Sequence, residues 1–244
     1  HLKTAHFLCS YIKIGYNPCI QINQEYSYMN KRLKIFAALG LLILVSMACA
    51  LPASTNGDKD APANNVLFSD DFSNPDSGWD RVNEADYSTD YADGVYRINV
   101  LGTDSDYWAN PGKTFTDVRV EVDASKAQGP DDNDLGVLCR YTSVDSYYFF
   151  LISSDGYYGI GKATTDGREL IGGTDLLFSE EIKTGLETNH IRADCVGSQL
   201  SLYVNDKLLT TVSDSAYTSG DVGLIAGTFT TAGVDIHFDN FVVY

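Results

Sequence analysis

The sequence predicts an all-β fold over residues 66–244, a two-sheet antiparallel β-sandwich. Many short segments alternate apolar and polar residues with a period of two, as half-buried strands do. Turn-forming runs such as "NPDSG", "QGPDDND" and "SSDG" separate these segments. No amphipathic stretch is longer than two helical turns, and "SEEIKTGLETN" alone is compatible with a short helix or a loop. A dozen or more short strands in a domain of this length favour a sandwich.

The segment before this domain has the composition of an export signal. Residues 29–49 begin at the first Met and combine a basic start, an apolar run and small residues at the end. Residues 1–28 are expected to be upstream sequence or the result of a mis-assigned start, the alternative being a genuine N-terminal extension. Residues 50–65 are rich in Pro, Ala, Ser and Asn, which predicts a flexible linker.

Cys49 lies at the end of the apolar run, in "VSMACALP". This stretch resembles a bacterial lipobox, in which the Cys becomes the lipidated first residue, although Ser46 stands where Leu is usual. The alternatives are cleavage after "Ala-Cys-Ala" and an uncleaved anchor, because an apolar run of roughly 19 residues marginally spans a membrane. All three alternatives place the folded domain outside the cytoplasm, as a membrane-anchored lipoprotein or a secreted protein.

The domain is strongly acidic. Residues 1–49 hold five basic residues and one acid, which leaves 12 basic and 32 acidic residues and a net charge of about −20. Such a field repels nucleic acid and anionic membranes. We therefore expect no nucleic-acid partner, and membrane attachment through the lipid anchor only. Solubility is the simplest explanation of the charge, although acidic clusters also bind divalent cations.

Two cysteines belong to the domain. In "LGVLCRY", Cys139 shares a strand face with Leu135 and Val137. In "NHIRADC", Cys195 shares a face with Ile191. Both cysteines therefore point into the core, which predicts a disulfide in an oxidising compartment. Two buried free thiols are the alternative.

A series of motifs carries a resemblance to a known family. In order, these are "LFSDDFSNPDSGW", "ADGVYRINV", "GVLCRYTSVDSYYFFLISSDGYYGIGK", "HIRADCVGSQLSLYVNDKLL" and the terminal "VDIHFDNFVVY". Together they resemble the concanavalin A-like lectin/glucanase superfamily, and more closely its LamG-like jelly-roll domains of the DUF1080 or 3-keto-disaccharide hydrolase type. The resemblance covers nearly all of residues 66–244. It implies one concave and one convex sheet, with carbohydrate at the concave face or its rim.

The resemblance also implies where glycosidase chemistry would lie. Retaining enzymes of the superfamily carry an E-x-D-x-E or E-x-D-x-x-E strand, whose carboxylates serve as nucleophile and acid/base. The nearest match is Glu121 with Asp123, but Ser125 and Lys126 stand where the third acid is needed. We therefore expect no catalytic residues on this strand and interpret it as an ordinary strand with a solvated face. Both histidines of the domain alternate outward, and no Ser-His-Asp elbow or HExxH motif is present.

Many sandwiches of this superfamily hold a structural Ca²⁺ that joins the first and last strands. The ligands are an acid of the opening motif, a carbonyl oxygen at the Gly of the early "DG" and an Asp of the final strand. These positions match Asp71, Gly94 and Asp239. Oxygen ligands suit Ca²⁺, so we expect a structural calcium here. The alternative is that these acids only flank an edge strand. The run "GPDDNDLG" is interpreted as an acidic turn.

Aromatic residues supply the expected ligand-binding positions. Sugar rings stack on exposed aromatic side chains and bond to nearby polar groups, so we expect Trp108, Arg140, Tyr148 and Tyr158 to line the concave face. Neighbouring strand residues point to opposite faces, so about half of the aromatics in this region pack in the core. We predict a module that binds glycan or cell-surface polysaccharide without catalysis. The alternatives are a hydrolase of glycosides or 3-keto-disaccharides and a structural or adhesive surface protein.

Overall fold

The computed structural model describes residues 65–244, which form two antiparallel β-sheets and no helix. The sheets pack face to face around one large cluster of buried apolar side chains. The predicted fold class, a two-sheet antiparallel β-sandwich, is confirmed. Within this range no helix is long and apolar enough to cross a membrane. The signal segment, Cys49 and nearly all of the linker lie outside the described residues.

One sheet contains nine strands: β1 (Phe68–Asp70), β2 (Val82–Asn83), β3 (Tyr87–Ala92), β4 (Val95–Val100), β6 (Val118–Gln128), β12 (Asn189–Val196), β13 (Gln199–Val204), β14 (Lys207–Ser213) and β16 (Val234–Val243). Their order is β14-β13-β12-β6-β16-β4-β3-β2, and β1 also pairs with β16. The first and last strands of the domain are therefore hydrogen-bonded neighbours.

The other sheet contains seven strands: β5 (Ser105–Ala109), β7 (Asn133–Ser143), β8 (Ser146–Ile152), β9 (Tyr157–Thr164), β10 (Gly167–Leu170), β11 (Leu177–Phe178) and β15 (Asp221–Thr228). Their order is β10-β9-β8-β7-β15-β5, and β11 pairs with the start of β9. Strands β5 and β10 are thus the two opposite edges of this six-strand path.

Alternation along the strands builds the core. Val118, Val120 and Val122 of β6 are buried against the opposite sheet, whereas Arg119 and Glu121 between them face outward. Strands β12, β13 and β16 show the same alternation of buried and partly buried residues. Fully burying one such apolar side chain contributes about 1.5–3 kcal/mol. The hydrophobic effect therefore determines which face of each strand points inward.

The tight hairpin between β13 and β14 has the geometry that its two central residues favour. Its two central residues, Asn205 and Asp206, both have positive φ, 49° and 66°. That conformation is typical of a type I′ turn, which Asn and Asp tolerate and which matches the right-handed twist of paired strands.

A disulfide joins the two sheets, as predicted. Cys139 of β7 and Cys195 of β12 are bonded, with their Cα atoms 6.8 Å apart. Both side chains are completely buried in the central core. The bond therefore fastens the two layers of the sandwich at a point that water does not reach.

The opening motif "FSDDFSNPDSGW" packs the start of the chain onto its end. Asp70 accepts hydrogen bonds from the Phe72 backbone N–H, at 2.8 Å, and from the Trp79 indole Nε1, at 3.0 Å. The Trp79 ring is buried and stands edge-on to Phe241 of β16, with ring centroids 4.9 Å apart. Asp70 and Trp79 of the opening motif are therefore structural residues. The neighbouring Asp71 is exposed.

Candidate functional site

The outer face of the seven-stranded sheet, which turns away from the core, is unusually apolar. Its buried side chains form a second cluster, edged by partly buried residues: Leu138, Tyr147, Phe149, Leu151, Ala163 and Ile225, edged by Trp108, Tyr141 and Leu170. We call this set the aromatic face. The central side chains of this face are almost fully buried, so the partly buried Trp108, Tyr141 and Leu170 supply its accessible apolar surface.

Strand β8 shows why this face is aromatic. Its sequence "SYYFFLI" has no polar alternation, so both of its faces carry large apolar side chains. Tyr148 and Phe150 fill the central core, and Tyr147 and Phe149 point to the aromatic face.

Arg168 lies across the aromatic face. Its Nε donates to the Tyr147 hydroxyl at 3.0 Å, and its Cζ lies 5.6 Å from the centroid of the Phe149 ring and 5.9 Å from that of Trp108. Its Nη1 pairs with the carboxylate of Asp106. Burial lowers the pKa of Arg168 to about 10, so the guanidinium remains charged at neutral pH.

The contact between Arg168 and Asp106 shows that the face is concave. Arg168 belongs to β10 and Asp106 to β5, which are opposite edges of the sheet. Six strands at their usual spacing would span about 24 Å if the sheet were flat, which is beyond the reach of these two side chains. The sheet must therefore curve toward its aromatic face.

Two glycines leave room for side chains to lie along this concave face. A Cβ on Gly161 would overlap the Phe149 ring, and a Cβ on Gly227 would overlap the carboxylate of Asp106. Larger residues at these two positions would push the ring and the carboxylate off the sheet.

A second carboxylate lies beside Asp106. Asp134 Oδ1 is 2.9 Å from the position of the same Gly227 Cβ, so the two acids are close neighbours above β15. Asp134 is buried, and its Oδ1 has no hydrogen-bond partner among residues 65–244. Burial raises the pKa of Asp134 to about 7. A buried acid with an unpaired oxygen at a concave face is a typical feature of a functional site.

Asp134→Asn is expected to remove a pH dependence of stability. Folding raises the pKa of Asp134 from 3.8 to about 7, so between these values the folded protein binds more protons than the unfolded chain. The wild type therefore loses about 4 kcal/mol of its free energy of unfolding to this residue as pH rises from about 4 to about 8. The variant keeps that stability, and urea unfolding at both pH values measures the difference.

Asp166→Asn is the matched control, because Asp166 is exposed in the turn before β10. Its pH profile should run parallel to that of the wild type. Parallel profiles for Asp134→Asn as well would contradict a raised pKa at Asp134.

The four expected ligand residues are not brought together. Trp108 lies on the aromatic face, half-buried beside Tyr141 and Tyr147. Tyr148 lies in the central core, where its hydroxyl donates to Asp214 at 2.6 Å. Of the neighbouring pair, the structure thus places Tyr147, not the expected Tyr148, on the concave face, which corrects that prediction.

The prediction for Arg140 is also corrected, because the structure places this residue in the interior. It is almost fully buried and its guanidinium is bonded to the carbonyl of Tyr217, at 2.8 Å, and to the carboxylate of Asp117, at 3.1 Å. Arg140 has a positive φ of 55° and lies where the pairing of β7 with β8 is irregular. This irregularity turns the Arg140 side chain inward.

Tyr158 is a core residue that also lines a separate groove. Its ring is largely buried and its hydroxyl donates to the carbonyl of Leu209 at 3.3 Å. The groove has a volume of about 430 Å³ and lies between the end of β10, the following loop and β14. Tyr158 and Trp108 therefore belong to different surfaces.

The strand considered for glycosidase chemistry faces away from the aromatic face. Glu121 and Asp123 lie on the outer side of the nine-stranded sheet with His190, whose Nδ1 is 2.8 Å from Asp123. Hydrogen bonding to Glu121, followed by that to Asp123, raises the pKa of His190 to about 9. The histidine is therefore a cation at neutral pH that compensates the two acids, and the group is an ion network on the opposite sheet.

The expected calcium ligands come from one region of the nine-stranded sheet. Strands β1 and β4 pair with the same edge of β16 and leave residues 239–240 between their partners. Asp71 follows β1, Gly94 precedes β4 and Asp239 lies in the gap. Within residues 65–244 no group of three or more His, Cys, Asp or Glu side chains is close enough to hold a metal. A calcium ion here would take its remaining ligands from backbone and water oxygens.

Comparison with known proteins supports the architecture. No protein-family model and no curated protein matches the sequence. Among solved structures, the carbohydrate-binding module CBM66 from Bacillus subtilis is similar, with 17% identity over 68% of this chain and 94% of that chain and a TM-score of 0.54. The fold is a jelly-roll β-sandwich.

Two further structures agree. A Bacillus subtilis protein of unknown function with a galectin-like fold is 11% identical, with a TM-score of 0.55 over 74% of this chain and 96% of that chain. The catalytic domain of an endo-1,3-beta-glucanase (laminarinase) from Thermotoga petrophila is 9% identical, with a TM-score of 0.52 over 74% of this chain and 97% of that chain. At these identities the similarity is one of fold alone, a jelly-roll β-sandwich.

Proposed function

We propose that the domain binds a neutral glycan on its aromatic face, outside the cytoplasm and without catalysis. The observation that carries the proposal is a concave sheet face where the half-buried Trp108 ring lies beside the charged groups of Arg168 and Asp106. Apolar concave surfaces with a few convergent polar groups are typical of small-ligand sites.

The chemistry of this face suits a sugar. The C–H faces of a pyranose ring pack on an aromatic ring, while its hydroxyl groups both donate and accept hydrogen bonds. The partly exposed carboxylate of Asp106 offers acceptors and the guanidinium of Arg168 offers donors. The strongly negative domain repels anionic polysaccharides, which favours a neutral ligand.

The proposed location outside the cytoplasm is supported by the disulfide between Cys139 and Cys195. Structural disulfides persist in oxidising compartments and are rare in the cytosol. Lipid anchoring through Cys49 remains a proposal based on the lipobox-like sequence. Mass spectrometry of the N-terminal peptide of the exported protein would detect a diacylglyceryl group on Cys49.

Trp108→Ala is expected to weaken glycan binding by about tenfold or more, because removing a stacked ring costs at least about 1.5 kcal/mol. A glycan array identifies bound sugars, and isothermal titration compares affinities. The matched control is Tyr203→Ala, which removes a half-buried aromatic side chain from the outer face of the opposite sheet. Equal affinities of Trp108→Ala and the wild type would contradict the proposed site, and a wild type that binds no glycan would contradict the function.

A hydrolase is the second candidate, and the Asp106–Asp134 pair is the observation that favours it. Glycosidases use two carboxyl groups, one of them protonated by virtue of a raised pKa, and burial raises the pKa of Asp134 to about 7. Turnover of nitrophenyl glycosides or of 3-keto-glucosides that is abolished by Asp106→Asn would establish this alternative. Absence of turnover with glycan binding retained would favour the binding module.

A structural Ca²⁺ at Asp71, Gly94 and Asp239 is also proposed. Because it would tie β1 and β4 to β16, Ca²⁺ binding to the folded state alone should stabilise the domain. At a hundredfold excess over the dissociation constant, the gain is about 2.7 kcal/mol, which differential scanning calorimetry detects as a higher Tm. Asp239→Asn should abolish the gain and Asp166→Asn should not. Equal Tm values with Ca²⁺ and with EGTA would contradict the site.

A further inference from the structure

We infer that the aromatic face binds the end of a glycan chain and excludes its interior, because Arg168 crosses the concavity from one edge to the other. This inference rests on the proposed glycan-binding function and adds the class of ligand.

The curvature of the sheet gives the concavity a direction. Because the edges β5 and β10 approach each other, the sheet forms a trough whose long axis runs roughly along the strands. Arg168 starts on β10, passes over the Phe149 and Trp108 rings and pairs with Asp106 on β5. The side chain therefore bridges the trough from wall to wall.

There is no passage beneath this bridge. Leu138, Phe149 and Ile225 form the floor of the trough and are completely buried. The guanidinium is held from two sides, by the Tyr147 hydroxyl at 3.0 Å and by the Asp106 carboxylate. A chain lying along the trough would have to displace a charged group that is paired at low exposure, 18% for the Arg168 side chain.

A chain end meets no such obstacle. An internal sugar is linked on both sides, so its chain would run past Arg168, whereas a terminal sugar extends in one direction only. The terminal sugar also has a free hydroxyl where an internal sugar has a glycosidic bond. The carboxylate of Asp106, whose side chain is 23% exposed, is the acceptor within reach of such a hydroxyl. The bridge and the acceptor therefore both select a terminus.

The test counts binding sites against chain ends. Laminarin, dextran, mannan, galactan and inulin are titrated into the full-length chain, each intact and after partial acid hydrolysis, at equal mass of sugar. We expect the number of protein molecules bound per gram to rise in proportion to the number of ends, tenfold for a tenfold increase. If the number of bound protein molecules depends on the mass of polysaccharide and not on the number of chain ends, the inference is overturned and the proposed function is left intact. Failure to bind all five polysaccharides overturns the proposed function and the inference with it.

Variants test the part assigned to Arg168. Arg168→Ala and Arg168→Met remove the bridge, and the Met variant keeps an apolar stem over the rings. Both are expected to bind intact polysaccharide at about ten times more sites per chain than the wild type. Arg97→Ala is the matched control, because Arg97 makes a similar pair with Asp235 on the opposite sheet, at 2.6 Å, and should keep the dependence on ends. Arg168 variants that keep this dependence, or that bind nothing, overturn the role of Arg168.

Discussion

Replacing Cys139 and Cys195 together by Ser lowers the expected free energy of unfolding by about 4 kcal/mol. The bond closes a long loop, with a sequence separation of 56, and removing it frees the unfolded chain to adopt many more conformations. Both side chains are fully buried, so the two hydroxyls also add a smaller cost of burying polar groups. Urea unfolding of the wild type and the double variant measures the loss.

Two comparisons separate the bond from the change of side chain. A Cys139→Ala/Cys195→Ala variant lacks the buried hydroxyls and should lose nearly as much stability as the Ser variant. Wild-type protein unfolded in the presence of a reductant should show the same midpoint as the Ala variant. A loss below about 1 kcal/mol in all three would mean that the bond contributes little, contrary to the loop-entropy argument.

Trp79→Ala is expected to cost about 3–5 kcal/mol, the usual range for a large aromatic residue removed from a core. The ring is 3% exposed and packs against Phe72 and Phe241, with centroids 5.4 and 4.9 Å away. Its loss leaves a cavity where the start of the chain meets β16. It also leaves Asp70 Oδ2 without the indole donor at 3.0 Å. Thermal and urea unfolding measure the change.

Trp79→Phe separates packing from the hydrogen bond. It keeps most of the apolar contact and removes the donor to Asp70, so a loss of about 1–3 kcal/mol is expected. Glycan binding should be unchanged in Trp79→Phe, because the ring lies in the central core and not on the aromatic face. Trp79→Ala that is as stable as the wild type would contradict the structural role of the opening motif.

The fold could be predicted from sequence because its main signals are local. The alternation of Val118, Val120 and Val122 identifies a strand with one buried face, and the Asn205–Asp206 pair identifies a tight hairpin. The disulfide followed from the same parity, since each cysteine shares a face with apolar neighbours. Each of these signals is contained within a few consecutive residues.

The aromatic face could be predicted only in part. Strand β8 is apolar on both sides, so its sequence does not show whether Tyr147 or Tyr148 faces the core. Arg140 lies where the pairing of β7 with β8 is irregular, and this irregularity changes the face of the sheet to which its side chain points. No turn-forming residue in the sequence indicates the irregularity. For Trp108, the sequence signal is the chemistry of the side chain, which favours a sugar contact, and not its position in a strand.

The pairing of Arg168 with Asp106 was not predictable from sequence patterns. The two residues are 62 positions apart and meet only because the sheet curves. Curvature depends on the packing of many side chains, including the space left at Gly161 and Gly227. The alternation of residues along a single strand does not indicate it. Alternation within "GREL" places Arg168 and Leu170 on one side of β10, but it does not show that the arginine reaches Asp106.

The pairing of β1 with β16 determines on which side of the domain a fused protein or a surface can be attached. Leu67 donates to the carbonyl of Val243 at 2.8 Å, so the chain enters and leaves the sandwich at adjacent points of the nine-stranded sheet. The aromatic face lies on the far side of the other sheet. A tag, surface coupling or fused domain joined directly at either end of residues 65–244 would therefore hold the module from behind and leave its concave side directed toward the surroundings.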